Sequence, residues 1–207
     1  MAQVPTGSTF HIATAHGAQK VVSAITNDAE AVASSVGHGY VDGDIVQIQS
    51  GWGRINNRVF RVKDAAADEF TLEGLDTTNT TFFAAGAGAG TVKKLSAFTQ
   101  ITTVMNPASS GGDPKKVTYK FIESDIEYNI NDGFSATDYT MELDADSITT
   151  PGYAALKTLT DTQESTVLKM QMRSGSILLV PCTVALNEAV SLQDGSINKV
   201  KASFSGN

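Results

Sequence analysis

Short runs rich in Val, Ile, Phe and Thr recur along the whole chain, and most are closed by Gly, Asn, Asp or Pro. Examples are "STFHIAT" (8–14), "KVVSAIT" (20–26), "DIVQIQ" (44–49) and "RVFRVKD" (58–64), followed by "EFTLEG", "TVKKL", "KVTYKFI", "TVLKMQMR", "SILLVPCTV" and "NKVKASFS". β-Branched and aromatic side chains suit a pleated, half-buried surface, and turn residues at such short intervals leave no length for helical layers. The pattern predicts a mainly β fold. One helix is expected at "TPGYAALKTL", where Thr150 can cap, Pro151 suits the first helical position, and Tyr153, Leu156 and Leu159 or Thr160 recur at helical spacing. "DAEAVASSV" fits either a second helix or a loop followed by a strand.

Charge is the second constraint. The chain has 15 basic and 22 acidic residues, a net charge of -7. Residues 121–147 hold Glu123, Asp125, Glu127, Asp132, Asp138, Glu142, Asp144 and Asp146 without a Lys or Arg. A period of two sets Glu123, Asp125, Glu127 and Asn129 against Ile126, Tyr128 and Ile130. It likewise sets Asp138, Thr140, Glu142 and Asp144 against Tyr139, Met141 and Leu143. With "NDGFSA" as the turn, the stretch reads as a hairpin with one acidic and one apolar face. Like charges on neighbouring strands cost about 0.2–1 kcal/mol per pair, so folding alone gives no reason to collect them. Such a chain should be repelled by nucleic acid, because phosphate neutralisation needs clustered Lys and Arg.

Catalytic, metal and cofactor chemistry finds no foothold in the residues. His11, His16 and His38 form no ligand or triad spacing, and the Asp42-Gly43-Asp44 and Asp144-Ala145-Asp146 runs lack the spacing and terminal Glu of a calcium loop. Cys182, the only cysteine, lies in the apolar run "ILLVPCTV" and reads as a buried packing residue. Gly86, Gly88 and Gly90 do not make a dinucleotide fingerprint, since position 91 is Thr and no Lys-bearing helix follows. The small, uncharged run 77–91 reads instead as a flexible connection. The start "MAQVPTGSTF" has no signal-peptide pattern and no run reaches a membrane span, so the expectation is cytoplasmic assembly without membrane insertion.

The segment "HGYVDGDIVQIQSGWGRINNRVFRVKDAAADEFTLEG" resembles a small β module found in bacteriophage tail proteins, through Gly43 and Asp44, Asn57, Phe60, Val62, Phe70 and Leu72. The order of the remaining elements resembles the tail tube protein, or major tail protein, of long flexible-tailed phages: strands, "MNPASSGGDPKKV", the acidic hairpin, the helix, two paired strands and "DGSINKVKASFSGN". The resemblance implies a tail-tube-type β-sandwich with one flanking α-helix, formed by residues 1–18 with 96–207, and an inserted barrel-like module at 19–95. The C-terminal immunoglobulin-like domain of some relatives is not expected after Asn207. A structural virion protein is implied, not an enzyme, self-assembling into hexameric rings stacked as a conduit for DNA. Its partners would be further copies of itself, a tape measure protein, and tail terminator and tail tip proteins, with no cofactor. In that setting Glu123, Asp125, Glu127, Glu142 and Asp144 are expected to face the lumen and repel DNA phosphates. Asp113, Lys115 and Lys116 are expected to end a long mobile loop that orders against the next ring. The rival reading is a phage adhesin or carbohydrate-binding protein using Trp52 in "SGWGR" as a sugar platform. Packing of that ring over its own barrel is the simpler alternative.

Overall fold

The computed structural model describes residues 6–206. The fold is mainly β with one α-helix, and the chain is divided between two compact units.

The first unit takes the chain to Ile101 and adds Thr166–Pro181. Its strands are β1 (Thr9–His16), β2 (Lys20–Val22), β3 (Ala24–Ile25), β4 (Val32–Ser34), β5 (Ile45–Ser50), β6 (Val59–Lys63), β7 (Glu69–Leu72) and β8 (Gly90–Ile101). β13 (Thr166–Gln171) and the start of β14 (Ile177–Ser191) complete it. They follow one antiparallel order, β3-β4-β7-β6-β5-β8-β1-β13-β14, and β2 also pairs with β8. The long β8 carries the unit. Its Gly90–Lys94 portion pairs with β5 and its Leu95–Ile101 portion with β1, so the chain continues through Leu95 without a break. "DAEAVASSV" resolves as a turn and β4.

Alternation puts Val46, Ile48, Phe60, Val62, Phe70 and Leu72 inside one core, as the sequence requires. Trp52 lies in that core, 3% exposed, with its ring edge-on to Phe83 and Nε1 donating to the Ala84 carbonyl. A ring held this way offers no face to a sugar. The run 77–91 is therefore not a flexible connection. Thr77 and Phe83 are buried, Thr77 Oγ1 donates to the Thr26 carbonyl, and Gly88 is needed because a Cβ there would sit 3.0 Å from the Trp52 ring. Its small residues give the backbone room to cover an aromatic core.

The second unit comprises Thr102–Ser165 and the chain from Cys182 onward. Within it the remainder of β14 pairs with β15 (Lys199–Gly206), β15 with β12 (Thr137–Asp144), and β12 with β9 (Val104–Gly111). Met141, Leu143, Val184, Leu186, Val200, Ala202 and Phe204 are buried, and the lone Cys182 is buried with them. The helix α1 (Pro151–Thr162) forms where expected, with Thr150 Oγ1 accepting from Tyr153 N. It buries Tyr153 and Leu156, and Leu186 N donates to Thr160 Oγ1, tying helix to sheet. No helix among the described residues is long and apolar enough to cross a membrane.

Candidate assembly and lumen surfaces

The sequence assigns "MNPASSGGDPKKV" (105–117) to a mobile loop, and the structure corrects this. The stretch forms β9, a Gly111-Gly112 turn, and the start of β10 (Pro114–Tyr119). Both glycines have positive φ, 82° and 78°, and a Cβ on Gly111 would strike the Ala136 carbonyl at 1.9 Å, so glycine alone fits the turn. Pro107 is tolerated because the β9/β12 ladder is irregular there: Met105 faces Glu142 and Ala108 faces Thr140, with Asn106 at φ 47° in the bulge. Asp113 N donates to Ser135 Oγ, Ser135 N donates to the Asp113 carbonyl, and Lys115 and Lys116 lie exposed on β10.

The acidic hairpin is also corrected. The strand expected from residue 123 begins only at β11 (Tyr128–Phe134), and β11 pairs with β10, not with β12. The preceding β10 supplies a matching β-branched and aromatic partner close in sequence, and this wins over pairing two acid-bearing segments. Glu123, Asp125 and Glu127 consequently occupy the exposed loop at the end of the β10-β11 ribbon, with Lys120 Nζ 3.7 Å from Asp125.

The ribbon has a distinctive face. Val117 opposes Ile130 and Tyr119 opposes Tyr128, so alternation places all four on one side, with Lys116, Thr118, Asn129 and Asn131 on the other. Tyr119 stacks on Tyr128 at 5.5 Å, and Phe121 meets both edge-on. None of these side chains reaches a core. Val117 and Ile130 are 51% and 55% exposed, Tyr119 and Tyr128 37% and 41%, and Ile122 in the loop is fully exposed. Two strands alone are marginal in water, and a contiguous exposed apolar face on them marks a contact surface. The signal for this face is present in the alternation of "KVTYKF" and "YNI", but alternation alone does not join the two runs.

Glu142 and Asp144 do lie on a strand, β12, yet that strand is not purely acidic in its setting. Its register places Lys201 opposite Glu142 and Lys199 opposite Asp144. Glu142 accepts from Asn106 Nδ2 at 2.6 Å and from Lys199 Nζ at 2.9 Å, which holds its carboxyl below the usual range. Asp144 Oδ1 accepts from Asp146 N at 3.0 Å and caps the short 3₁₀ turn Ala145–Thr149. The solvent-side positions of β12 and β15 are therefore Asp138, Thr140, Glu142 and Asp144 beside Ser205, Ser203, Lys201 and Lys199, a short-chain polar surface with partly balanced charge. The alternating lysines of "NKVKAS" are the sequence signal for this balance.

Among the described residues no group of His, Cys, Asp and Glu side chains could hold a metal ion. His38 is a packing residue: its ring lies against Tyr40 and Phe70, and its Nδ1 accepts from Tyr40 N. No curated protein matches the chain. The sequence profile described as phage tail tube protein (TTP) matches residues 50–207, which takes in the long β8, the apolar ribbon, the polar β12-β15 surface and α1. The chain belongs to the phage tail tube protein family, and its place is the virion tail.

Proposed function

We propose that this tail tube protein assembles as hexameric rings stacked into the tube of a long flexible-tailed phage, through which DNA passes without specific binding. The observation that carries the assembly reading is the β10-β11 ribbon, whose Val117, Tyr119, Tyr128 and Ile130 face is left exposed by the rest of the described residues. A neighbouring copy covers it, and head-to-tail contacts of this kind propagate without closing on themselves. Asp113, Lys115 and Lys116 at the ribbon root contact the next ring. Tape measure, terminator and tip proteins complete the tail, which is assembled in the host cytoplasm. The role is structural and needs no catalytic group. Residues 19–95 act as an inserted module projecting from the outer surface. An adhesin reading through Trp52 has lost its basis, because that ring is buried.

The lumen is lined by the polar β12-β15 surface with Glu142 and Asp144, and by the loop acids Glu123, Asp125 and Glu127. Short Ser and Thr side chains give DNA little to grip, and the exposed loop carboxylates, of which only Asp125 meets a cation among the described residues, repel its phosphates. Electron microscopy over a concentration series tests assembly: tubes of stacked rings are expected, and a monomer at every concentration, even with tail-initiation components added, refutes it. Labelling Cys substitutions of Glu123, Asp125 and Glu127 with a reagent too large to enter a tube tests the lining. Free labelling in intact tubes would place them outside.

A further inference from the structure

A second exposed apolar face lies on the first unit. Phe10 on β1 pairs with Met170 on β13. The β13-β14 hairpin closes with Met172 N donating to the Ser176 carbonyl at 2.9 Å and with Gly175 N, at φ 87°, donating to the Met172 carbonyl. This three-residue loop sets Met172 opposite Ser176, and hence Met170 opposite Leu178. Alternation therefore puts Phe10, Met170, Met172 and Leu178 on one side of three adjacent strands, while Ala13, Val167 and Leu179 pack together on the other. Met172 and Leu178 are exposed, and Phe10 and Met170 are half-buried. Methionine adapts to irregular partners and its sulfur favours aromatic rings, so this patch suits a partner that presents aromatic side chains. The β10-β11 ribbon presents Tyr119 and Tyr128 beside Val117 and Ile130, with Phe121 edge-on to both tyrosines.

Charge decides which apolar face of a second copy the ribbon meets. Its tip carries Glu123, Asp125 and Glu127. The segments that build the methionine patch hold no carboxylate, since none occurs in the sequence from residue 6 to 27 or from 165 to 187. Arg173 lies exposed in the hairpin turn beside the patch and enters no ion pair among the described residues. The other exposed apolar group, Val190, Leu192 and Ile197 at the β14-β15 end, has Asp194 in its own loop and would repel an acidic tip. We infer that the ribbon of one copy lies on the Phe10, Met170, Met172 and Leu178 patch of a second copy, with its acidic tip beside Arg173. Placed the other way round, Lys115 and Lys116 at the ribbon root would meet that guanidinium. The two surfaces differ, so the contact is heterologous and propagates from copy to copy. This docking rests on the reading that a neighbouring copy covers the ribbon, and it names the surface that does so.

Tubes assembled from equal amounts of Ile130→Cys and Met172→Cys full-length chains, then oxidised, should yield covalent heterodimers, while neither variant alone should cross-link. Cys182 is buried and stays out of reach of the oxidant. A second measurement needs no new thiol. Met172→Ser should raise the concentration at which tubes first appear in light scattering several-fold, and Arg173→Glu should do the same with a difference that narrows at high salt. Met172→Ser combined with Val117→Ser should raise it by less than the product of the two single rises, because each removes one side of the same contact. Cross-linking of Ile130→Cys to itself, or to Leu192→Cys in place of Met172→Cys, overturns the assignment, as does a threshold indifferent to both Met172→Ser and Arg173→Glu. Tubes that form normally without the heterodimer refute this docking alone. Failure of the parent chain to form tubes at any concentration refutes the assembly reading and the docking together.

Discussion

Replacing Val117 and Ile130 together by Ser removes the aliphatic half of the ribbon face and leaves both strands. Full burial of a Val or Ile side chain is worth about 1.5–3 kcal/mol, and about half of each is still exposed in the isolated chain. Covering the remainder contributes about 1 kcal/mol per residue to a contact with a second copy, or about 2 kcal/mol for the pair. At 25 °C this is about 30-fold in an association constant. Because each added subunit brings one ribbon, the concentration at which tubes first appear in light scattering should rise by about the same factor. Below that concentration the variant should melt within about 2 °C of the parent, as exposed positions outside the core rarely contribute more than a few tenths of a kcal/mol. Asn131→Ser, on the opposite face of β11, is the control and should leave the threshold unchanged. An unchanged threshold in the double variant, or a fall in melting temperature of more than about 6 °C, would refute the reasoning. The face would then be either irrelevant or part of the fold.

Trp52→Ala should destabilise the first unit by about 3–5 kcal/mol, read from urea unfolding by circular dichroism; a loss under about 1 kcal/mol would mean the Trp52 and Phe83 packing contributes little. Glu142 and Glu188 have carboxyl pKa values lowered in the fold, the first chiefly by Asn106 and then Lys199, the second by Lys157. Their contribution to stability is therefore present above the unfolded value of about 4.3 and is lost as pH falls through the folded value. The Glu142→Gln, Glu188→Gln double variant should show a shallower fall in urea midpoint between neutral and acid pH than the parent, and an identical acid limb would count against both pairings. Lys115→Glu with Lys116→Glu should leave the melting curve unchanged but make tubes dissociate at lower salt, measured by sedimentation; tubes of unchanged stability would remove these residues from the ring contact.

Much of this fold is legible in the sequence because local signals agree with one another. Thr150, Pro151 and the Tyr153 and Leu156 spacing fix α1, and the alternation of Phe60, Val62, Phe70 and Leu72 fixes the core of the first unit. The failures share a physical cause. Pro107, Gly111 and Gly112 look like loop residues until one sees that a bulge and a positive-φ turn absorb them inside and between strands. The glycine-rich run 77–91 looks flexible because its function is to admit Trp52, a partner far away in sequence. Alternation finds strands but not which strands pair, and the acidic stretch is misjoined in the sequence for that reason.

Once the pairing is known, the concentration of carboxylates in residues 121–147 separates into groups with different physical explanations. Glu142 is opposed by Lys201 and bonded to Lys199, while Asp144 is opposed by Lys199 and caps a turn, so the fold itself accounts for their charge. Glu123, Asp125 and Glu127 gain almost nothing from folding: they sit on an exposed loop beside Phe121, Ile122 and Ile126, and their one cation contact among the described residues is Lys120 to Asp125 at 3.7 Å. An apolar loop without charges would be an aggregation site in the unassembled chain. Carboxylates among those side chains oppose uncontrolled association through mutual repulsion, which weakens as salt rises. The same three charges therefore have a reason to exist before assembly as well as after it. Their replacement by Gln should promote amorphous association of the soluble chain at low salt, seen as turbidity without tubes in electron micrographs, and a variant that stays as clear as the parent would remove this role.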